Sequence, residues 1–144
     1  MRLAIASDHA GIDLKRDLRA HLEAAGHEVR DLGPTTTDSV DYPDFAHKLT
    51  RCLLDGEVDR GVLICGTGQG MAMAANKVPG VRAAVVSDVF SARMAMQHND
   101  ARVLCLGERV VGPGLALTLV DAWLGVSFEG GRHARRVGKI EAIG

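Results

Sequence analysis

Short apolar runs alternate along this chain with segments whose apolar residues recur every three or four positions. Leu3–Ala6 and Gly61–Cys65 are runs of the length and composition that form buried strands. Leu14, Leu18 and Leu22 follow the first run at four-residue spacing, which predicts an amphipathic helix. Since a strand, a crossover helix and a parallel strand almost always form a right-handed unit, this alternation strongly restricts the fold.

The same pattern continues to the end of the chain. The predicted strands are Leu3–Ala6, His27–Leu32, Gly61–Cys65, Arg82–Val86 and Val103–Leu106. The predicted helices are Leu14–Leu22, Phe45–Leu53, 71–75, Val89–His98 and Leu115–Leu124, with a basic helix at about 132–143. Because strands buried on both faces need not alternate in polarity, we predict one domain over 1–144. Its fold class is α/β, a Rossmann-like three-layer α/β/α sandwich with about five parallel strands and helices on both faces.

Composition excludes several classes of protein. Apolar residues make up 47% and charged residues 24%, which is typical of a folded globular protein. With 17 basic and 18 acidic residues, the net charge of −1 gives no reason to expect nucleic acid or membrane binding. Three cysteines without a Cys-x-x-Cys pair predict neither a disulfide framework nor a zinc site. No apolar run is long enough for a membrane helix or a signal peptide, so we expect a cytoplasmic protein.

Polar residues follow several of the predicted strands at the point where each strand ends. Asp8 and His9 follow the first strand, Thr67 follows the strand that ends at Cys65, and Arg109 follows the last. Because ligands of open parallel sheets bind beyond the carboxyl ends of the strands, these residues predict a binding site there.

A glycine-rich loop follows Cys65. Gly66, Gly68 and Gly70 permit positive φ angles and can direct successive N–H groups at an anion or an oxyanion. Met71 excludes three familiar motifs: it is not the lysine of a P-loop, the third glycine of a dinucleotide fingerprint or the arginine of a cysteine phosphatase.

Cys65 is the cysteine with the strongest case for a chemical role. It lies at a strand end directly before a helix N-terminus, a position that favours the thiolate and provides a base or a nucleophile. From position alone, a structural role is equally compatible with it. Cys52 and Cys105, on a helix face and inside a strand, are predicted to be structural.

The remaining candidates are imidazoles and guanidiniums. His9, beside Asp8, favours a functional role, whereas His98 at a helix C-terminus could equally be a cap. Arg132 and Arg136 are four residues apart, so a helix would present both on one face, where paired guanidiniums suit a phosphate. A solvated basic face is the alternative.

Six segments together resemble the type B ribose-5-phosphate isomerase family, which includes galactose-6-phosphate and allose-6-phosphate isomerases. They are Ser7-Asp8-His9-Ala10-Gly11, Asp41-Tyr42-Pro43-Asp44, Cys65-Gly66-Thr67-Gly68-Gln69-Gly70, Ala74-Ala75-Asn76-Lys77, Gln97-His98-Asn99-Asp100 and Glu129-Gly130-Gly131-Arg132-His133. The resemblance runs in order over nearly the whole chain. It implies a Rossmann-like homodimer, with a tetramer as the alternative, that uses neither a metal nor a nucleotide cofactor. It also implies active sites between subunits, with His98 and Arg109 facing the neighbour's Cys65.

The resemblance also implies a role for each matching residue. Cys65 would be the base that moves a proton between C1 and C2, and His98 would open the sugar ring. Thr67 and the N–H groups of the loop would stabilise the cis-enediolate; the loop residues are Gly66, Gly68, Gln69 and Gly70. Asp8 would hold the sugar hydroxyls, and Tyr42 and Asn99 would line the site. The phosphate would be bound by His9, Arg109, Arg132 and Arg136. Some relatives use a glutamate further along this loop, but Gln69-Gly70-Met71 contains no acid.

We therefore expect an aldose–ketose isomerase of the pentose phosphate pathway that interconverts D-ribose 5-phosphate and D-ribulose 5-phosphate. A six-carbon sugar phosphate or a free aldose is the alternative within the family. A non-catalytic Rossmann-type binding module and a thiol redox protein are the alternatives outside it, although the redox reading lacks a resolving cysteine. We also expect apolar helix faces to lie at a subunit interface, at Met94, Met96 and Trp123.

Overall fold

The computed structural model describes residues 1–144 as five strands and six α-helices. The strands are β1 (Arg2–Ser7), β2 (Glu28–Asp31), β3 (Arg60–Cys65), β4 (Ala83–Val85) and β5 (Val103–Gly107). The helices are α1 (Ile12–Ala24), α2 (Tyr42–Leu54), α3 (Gln69–Asn76), α4 (Val89–Gln97), α5 (Pro113–Leu124) and α6 (Arg132–Glu141).

All strands of the sheet are parallel, in the order β2-β1-β3-β5-β4. The predicted α/β fold is therefore confirmed. Leu3 and Ile5 pack into a core beneath α1, α4 and α5, whereas Ala4 and Ala6 pack into a second core beneath α2 and α3. Burial on both faces explains why these strands read as continuous apolar runs.

Two of the residues predicted at a subunit interface lie in the core of the chain itself. Trp123 is fully buried and donates its Nε1–H to the carbonyl of Ala101 at 2.8 Å, and Met96 is also buried. The prediction was wrong for these two residues because α4 and α5 turn their apolar faces towards the sheet. The large apolar side chains left exposed are elsewhere, the most exposed after the C-terminal Ile143 being Phe90 at 71%.

The predicted basic helix is present as α6, and it packs less closely than the others. Only His133 and Val137 of this helix are buried. Its end is held by Glu141, which accepts hydrogen bonds from the N–H of Gly80 and from Arg82. No helix of the chain has the length and apolar character needed to span a membrane.

The two ends of the parallel strands matter for the site. We name the side of the sheet where the strands end the carboxyl edge and the side where they begin the amino edge. Parallel strands bring Ser7, Cys65 and Gly107 to the carboxyl edge. Helix α4 runs back from that edge to the start of β5, so its last residues lie at the amino edge. A strand of this length separates the two edges by roughly 15–20 Å, at about 3.3 Å per residue.

Candidate active site

Cys65 is the last residue of β3 and is held by main-chain hydrogen bonds. Its carbonyl accepts the N–H of Glu108 at 2.9 Å, and the next carbonyl, of Gly66, accepts the N–H of Arg109 at 3.0 Å. The side chain is 6% exposed, and the N–H of Gly68 donates to Sγ at 3.0 Å. This hydrogen bond fixes the position of the sulfur beside the loop.

Gly68 is the residue that allows this contact. Its φ of 83° lies in the left-handed region, and an added Cβ would lie 3.1 Å from the main chain of Leu106. The expectation of positive φ is wrong for Gly66 and Gly70, whose φ angles lie outside that region. Gly70 is needed for space instead, because a Cβ there would lie 2.6 Å from the ring of Tyr42.

The loop leaves several N–H groups free for a ligand. The N–H of Gly68 is taken by Cys65, and the N–H of Gln69 donates to Thr67 Oγ1 at 3.2 Å. The N–H groups of Gly66, Thr67, Gly70 and Met71 have no acceptor within the chain, and the last two lie in the first turn of α3. The sequence analysis did not predict the N–H of Met71 as a donor, although a residue in the first turn of a helix has a free N–H.

Asp8 and His9 lie beside this loop at the end of β1. Asp8 is buried, and its carboxylate accepts the N–H of Ala10 at 2.9 Å. His9 is half-buried, and its Nδ1 lies 3.2 Å from the N–H of Val40. Because Nδ1 accepts this bond, the Nε2–H of a neutral His9 is free to donate to a ligand.

Arg109 extends from the end of β5 over the loop of its own chain, with its guanidinium near the position a Cβ of Gly66 would occupy. The expectation that Arg109 faces the neighbour's Cys65 is therefore wrong. Glu108, its neighbour, turns away and accepts the N–H of Leu14 at 3.2 Å in the first turn of α1. Burial raises the pKa of the Glu108 carboxyl, and nearby Asp13, Asp17 and Asp8 act in the same direction. We name Asp8, His9, Cys65, Thr67 and Arg109 the carboxyl-edge cluster.

His98 lies at the opposite edge, directly after α4. Its ring stacks on the ring of His133 from α6, with centroids 4.1 Å apart and an interplanar angle of 10°. Burial lowers the pKa of His133, and the positive charge of a protonated His98 and of Arg132 lowers it further. Arg136 is exposed on α6.

Arg82, which the sequence analysis did not identify as a candidate, makes hydrogen bonds to several segments at this edge. Its guanidinium donates to the carbonyls of Asn99 and Asp100, to the carboxylate of Asp100 and to Glu141 at the end of α6. It is 17% exposed. Arg82 thus links the turn that carries His98 to the helix that carries the arginines. We name His98, Asn99, Arg132, His133 and Arg136 the amino-edge cluster.

One chain therefore brings together only part of the predicted site. Cys65, Thr67, Asp8, His9, Arg109 and the glycine loop share the carboxyl edge, with Tyr42 packed against Gly70. His98, Asn99, Arg132 and Arg136 share the amino edge. The other cysteines lie outside both clusters: Cys105 is fully buried, which raises the pKa of its thiol, and Cys52 is half-buried beside Arg30.

Residues 3–140 match the family described as ribose/galactose isomerase. The chain belongs to the ribose/galactose isomerase family. Ribose-5-phosphate isomerase B of Escherichia coli is 49% identical over 142 residues, covering 99% of this chain and 95% of that one.

Solved structures of this family share the whole fold. The ribose-5-phosphate isomerase B of Clostridium thermocellum is 55% identical with a TM-score of 0.98, covering 99% of this chain and 97% of that one. The enzyme of Mycoplasma genitalium, solved with bound ribulose 5-phosphate, is 45% identical with a TM-score of 0.93, covering 99% and 95%.

Proposed function

We propose that this protein is an aldose–ketose isomerase that interconverts D-ribose 5-phosphate and D-ribulose 5-phosphate. The observation that carries the proposal is Cys65, a thiol at the carboxyl edge whose sulfur receives an N–H from a loop with four further free N–H groups. Likeness over nearly the whole chain to a relative solved with ribulose 5-phosphate supports this substrate.

The chemical step is a proton transfer between adjacent carbons. The Cys65 thiolate takes the proton from C2 of the open-chain aldose, and the C2–H electron pair forms the C1–C2 double bond of a cis-enediolate. The negative charge moves to O1. The thiol, whose proton exchanges with solvent, then donates a proton to C1 while O2 loses its proton and O1 gains one, which gives the ketose.

The loop supplies the donors that this intermediate needs. Because Thr67 Oγ1 accepts the N–H of Gln69, its own O–H is free to donate to O1 or O2. The unpaired N–H groups of Gly70 and Met71 add the positive end of α3. Donors fixed before the reaction need no reorganisation as charge develops, and one such donor contributes about 10²–10³-fold in rate.

We assign ring opening and phosphate binding to residues of a second copy of the chain. Ring opening needs an acid–base group at the ring oxygen, a role that suits His98, and the phosphate needs the guanidiniums of Arg132 and Arg136. These groups lie roughly 15–20 Å from Cys65 in one chain, so a homodimer that apposes opposite edges would complete the site. Exposed Phe90, Val110 and Leu115, near the carboxyl edge, provide apolar surface for that contact.

An isomerase of a six-carbon sugar phosphate is the second candidate, because the family description names galactose beside ribose. The two candidates share the fold and the base. They differ in the space available beyond C5 of the substrate.

Proton NMR in D₂O tests the proposal. The EDTA-treated protein is mixed with ribose 5-phosphate, and we expect ribulose 5-phosphate that carries deuterium at C1. Conversion of only galactose 6-phosphate or allose 6-phosphate would show that the substrate is a six-carbon sugar phosphate, with the same proposed mechanism. No exchange or conversion with any of these sugars would overturn the proposal.

A further inference from the structure

Three metal-ligating side chains of the amino edge meet outside the chemistry assigned to Cys65. His98, Glu129 and His133 each offer one ligand atom, and these atoms all lie within 4.8 Å of one another. The Nε2 of His133 lies 3.5 Å from a carboxylate oxygen of Glu129. We name these three residues the imidazole cluster.

The backbone around the imidazole cluster is fixed before any ligand arrives. The N–H of Glu129 donates to the carbonyl of Gln97 at 2.9 Å, which joins the segment before α6 to the end of α4. The N–H of His98 donates to the carbonyl of Met94 at 2.9 Å, and that of His133 to Gly130 at 3.0 Å. Bringing the ligand atoms to metal-binding distance therefore needs side-chain rotation, chiefly tilting of the two stacked rings and movement of the exposed Glu129.

We propose that the imidazole cluster is a binding site for a zinc-class divalent metal ion. Two imidazoles and one carboxylate, with water as the fourth ligand, are a donor set that Zn²⁺ binds in tetrahedral geometry. Imidazole nitrogen also favours Zn²⁺, Cu²⁺ and Ni²⁺ over Mg²⁺ and Ca²⁺, which prefer oxygen. The nearby guanidiniums of Arg132 and Arg136 repel every cation, so an ion is held here only if coordination by the imidazole nitrogens outweighs that repulsion.

A metal ion bound at this site should inhibit turnover. This consequence, unlike metal binding, rests on the proposed function. A metal ion bound to His98 occupies the nitrogen lone pair that ring opening requires. Zinc would therefore slow turnover of the cyclic substrate, and EDTA would restore it. Metal binding itself does not depend on the identity of the sugar.

The test measures metal binding without activity. Zn²⁺ is titrated by calorimetry into Cys65→Ala, which removes the thiol as a competing ligand, and Co²⁺ is added to the same variant as a spectroscopic probe. We expect one ion per chain and the visible absorption of tetrahedral Co²⁺. Adding Glu129→Gln or His133→Asn should weaken binding by more than the roughly 10–100-fold that loss of an outer-shell partner costs.

Matched variants make the result decisive. His47→Asn removes an exposed imidazole of α2 and Glu28→Gln an exposed carboxylate of β2, and both should leave Zn²⁺ affinity unchanged. Equal affinity in Glu129→Gln, which lies on the surface and should fold normally, would overturn the site. So would binding that disappears in Cys65→Ala.

Inhibition is measured separately on the chain with Cys65 intact. If Zn²⁺ binds the imidazole cluster while turnover of ribose 5-phosphate is unchanged, the inhibitory consequence is wrong. If the protein turns over none of the sugar phosphates, the proposed function fails while the calorimetry still decides the metal site.

Discussion

The two edges of the sheet hold their functional groups in different ways. At the carboxyl edge, Cys65 lies in one continuous strand–loop–helix segment, and main-chain N–H groups bond to its sulfur and its carbonyl. At the amino edge, His98 depends on side chains from distant segments: His133 stacks on it, and Arg82 joins its turn to α6. The proposed base is thus positioned by local backbone, whereas the groups proposed to open the ring and bind phosphate are positioned by long-range side-chain contacts.

The largest expected effect is at the carboxyl edge. Cys65→Ala should lower kcat by at least the roughly 10²–10⁴-fold that a general base contributes, while calorimetry still detects binding of ribose 5-phosphate. Cys52→Ser is the matched control, because that thiol is only half-buried and lies outside both clusters. Turnover near that of the unsubstituted protein in Cys65→Ala would contradict the assignment of the base.

A mixed dimer tests whether the two edges work together across subunits. Cys65→Ala and His98→Asn should each be nearly inactive alone, the second because ring opening loses its acid–base group. Co-expressed with different tags, the two chains should form dimers in which one site has both residues intact. Random pairing would restore about a quarter of the activity of the unsubstituted dimer, since half of the dimers carry one complete site.

No recovery in the mixed dimer, with both chains shown to be present, would place His98 and Cys65 in the same chain's site. It would also contradict the proposed apposition of opposite edges. Size-exclusion chromatography with light scattering supplies the control for dimer formation.

The same difference explains what the sequence could predict. The parallel sheet and the glycine loop after Cys65 follow from local pattern, because strand, loop and helix N-terminus are consecutive in the chain. The stack of His98 on His133 and the reach of Arg82 to Glu141 depend on where α6 packs, which no spacing in the sequence encodes. Trp123 is an example of a wrong prediction from local pattern. An apolar helix face can pack on the sheet or on a second subunit, and the pattern does not distinguish the two.

Phosphate binding should show a smaller effect, on KM rather than kcat. Arg136→Ala should raise KM roughly 10–100-fold, the equivalent of losing one hydrogen bond to a charged group at about 1.5–3 kcal/mol. Arg135→Ala, which removes the neighbouring exposed guanidinium of α6, should change KM little. A loss confined to kcat would argue against phosphate anchoring by Arg136.

Arg82 should have a weaker effect, since it acts on the functional groups only indirectly, through the backbone of Asn99 and Asp100, the Asp100 carboxylate and Glu141. Arg82→Ala should lower kcat/KM by up to about 10-fold, below the 10²-fold that a 1 Å misplacement can cost. It should also speed amide hydrogen exchange in α6. Arg102→Ala, which removes an exposed guanidinium bonded to Asp100 alone, is the control. Unchanged exchange in α6 would show that Arg82 does not hold this helix.

The smallest effect is expected at Glu108, whose carboxylate accepts the N–H of Leu14 in α1. Burial raises its pKa in the folded protein, so the unfolded chain loses this proton at lower pH than the folded chain does. Stability due to Glu108 is therefore greatest below the ordinary glutamate pKa of about 4 and declines as pH rises through the raised value. Glu108→Gln keeps an acceptor for the N–H of Leu14 and removes this titration. Its Tm should exceed that of the unsubstituted protein increasingly between pH 4 and 7, by at most about 2–4 °C. A Tm difference that stays constant over that range would show that burial of Glu108 does not destabilise the folded protein.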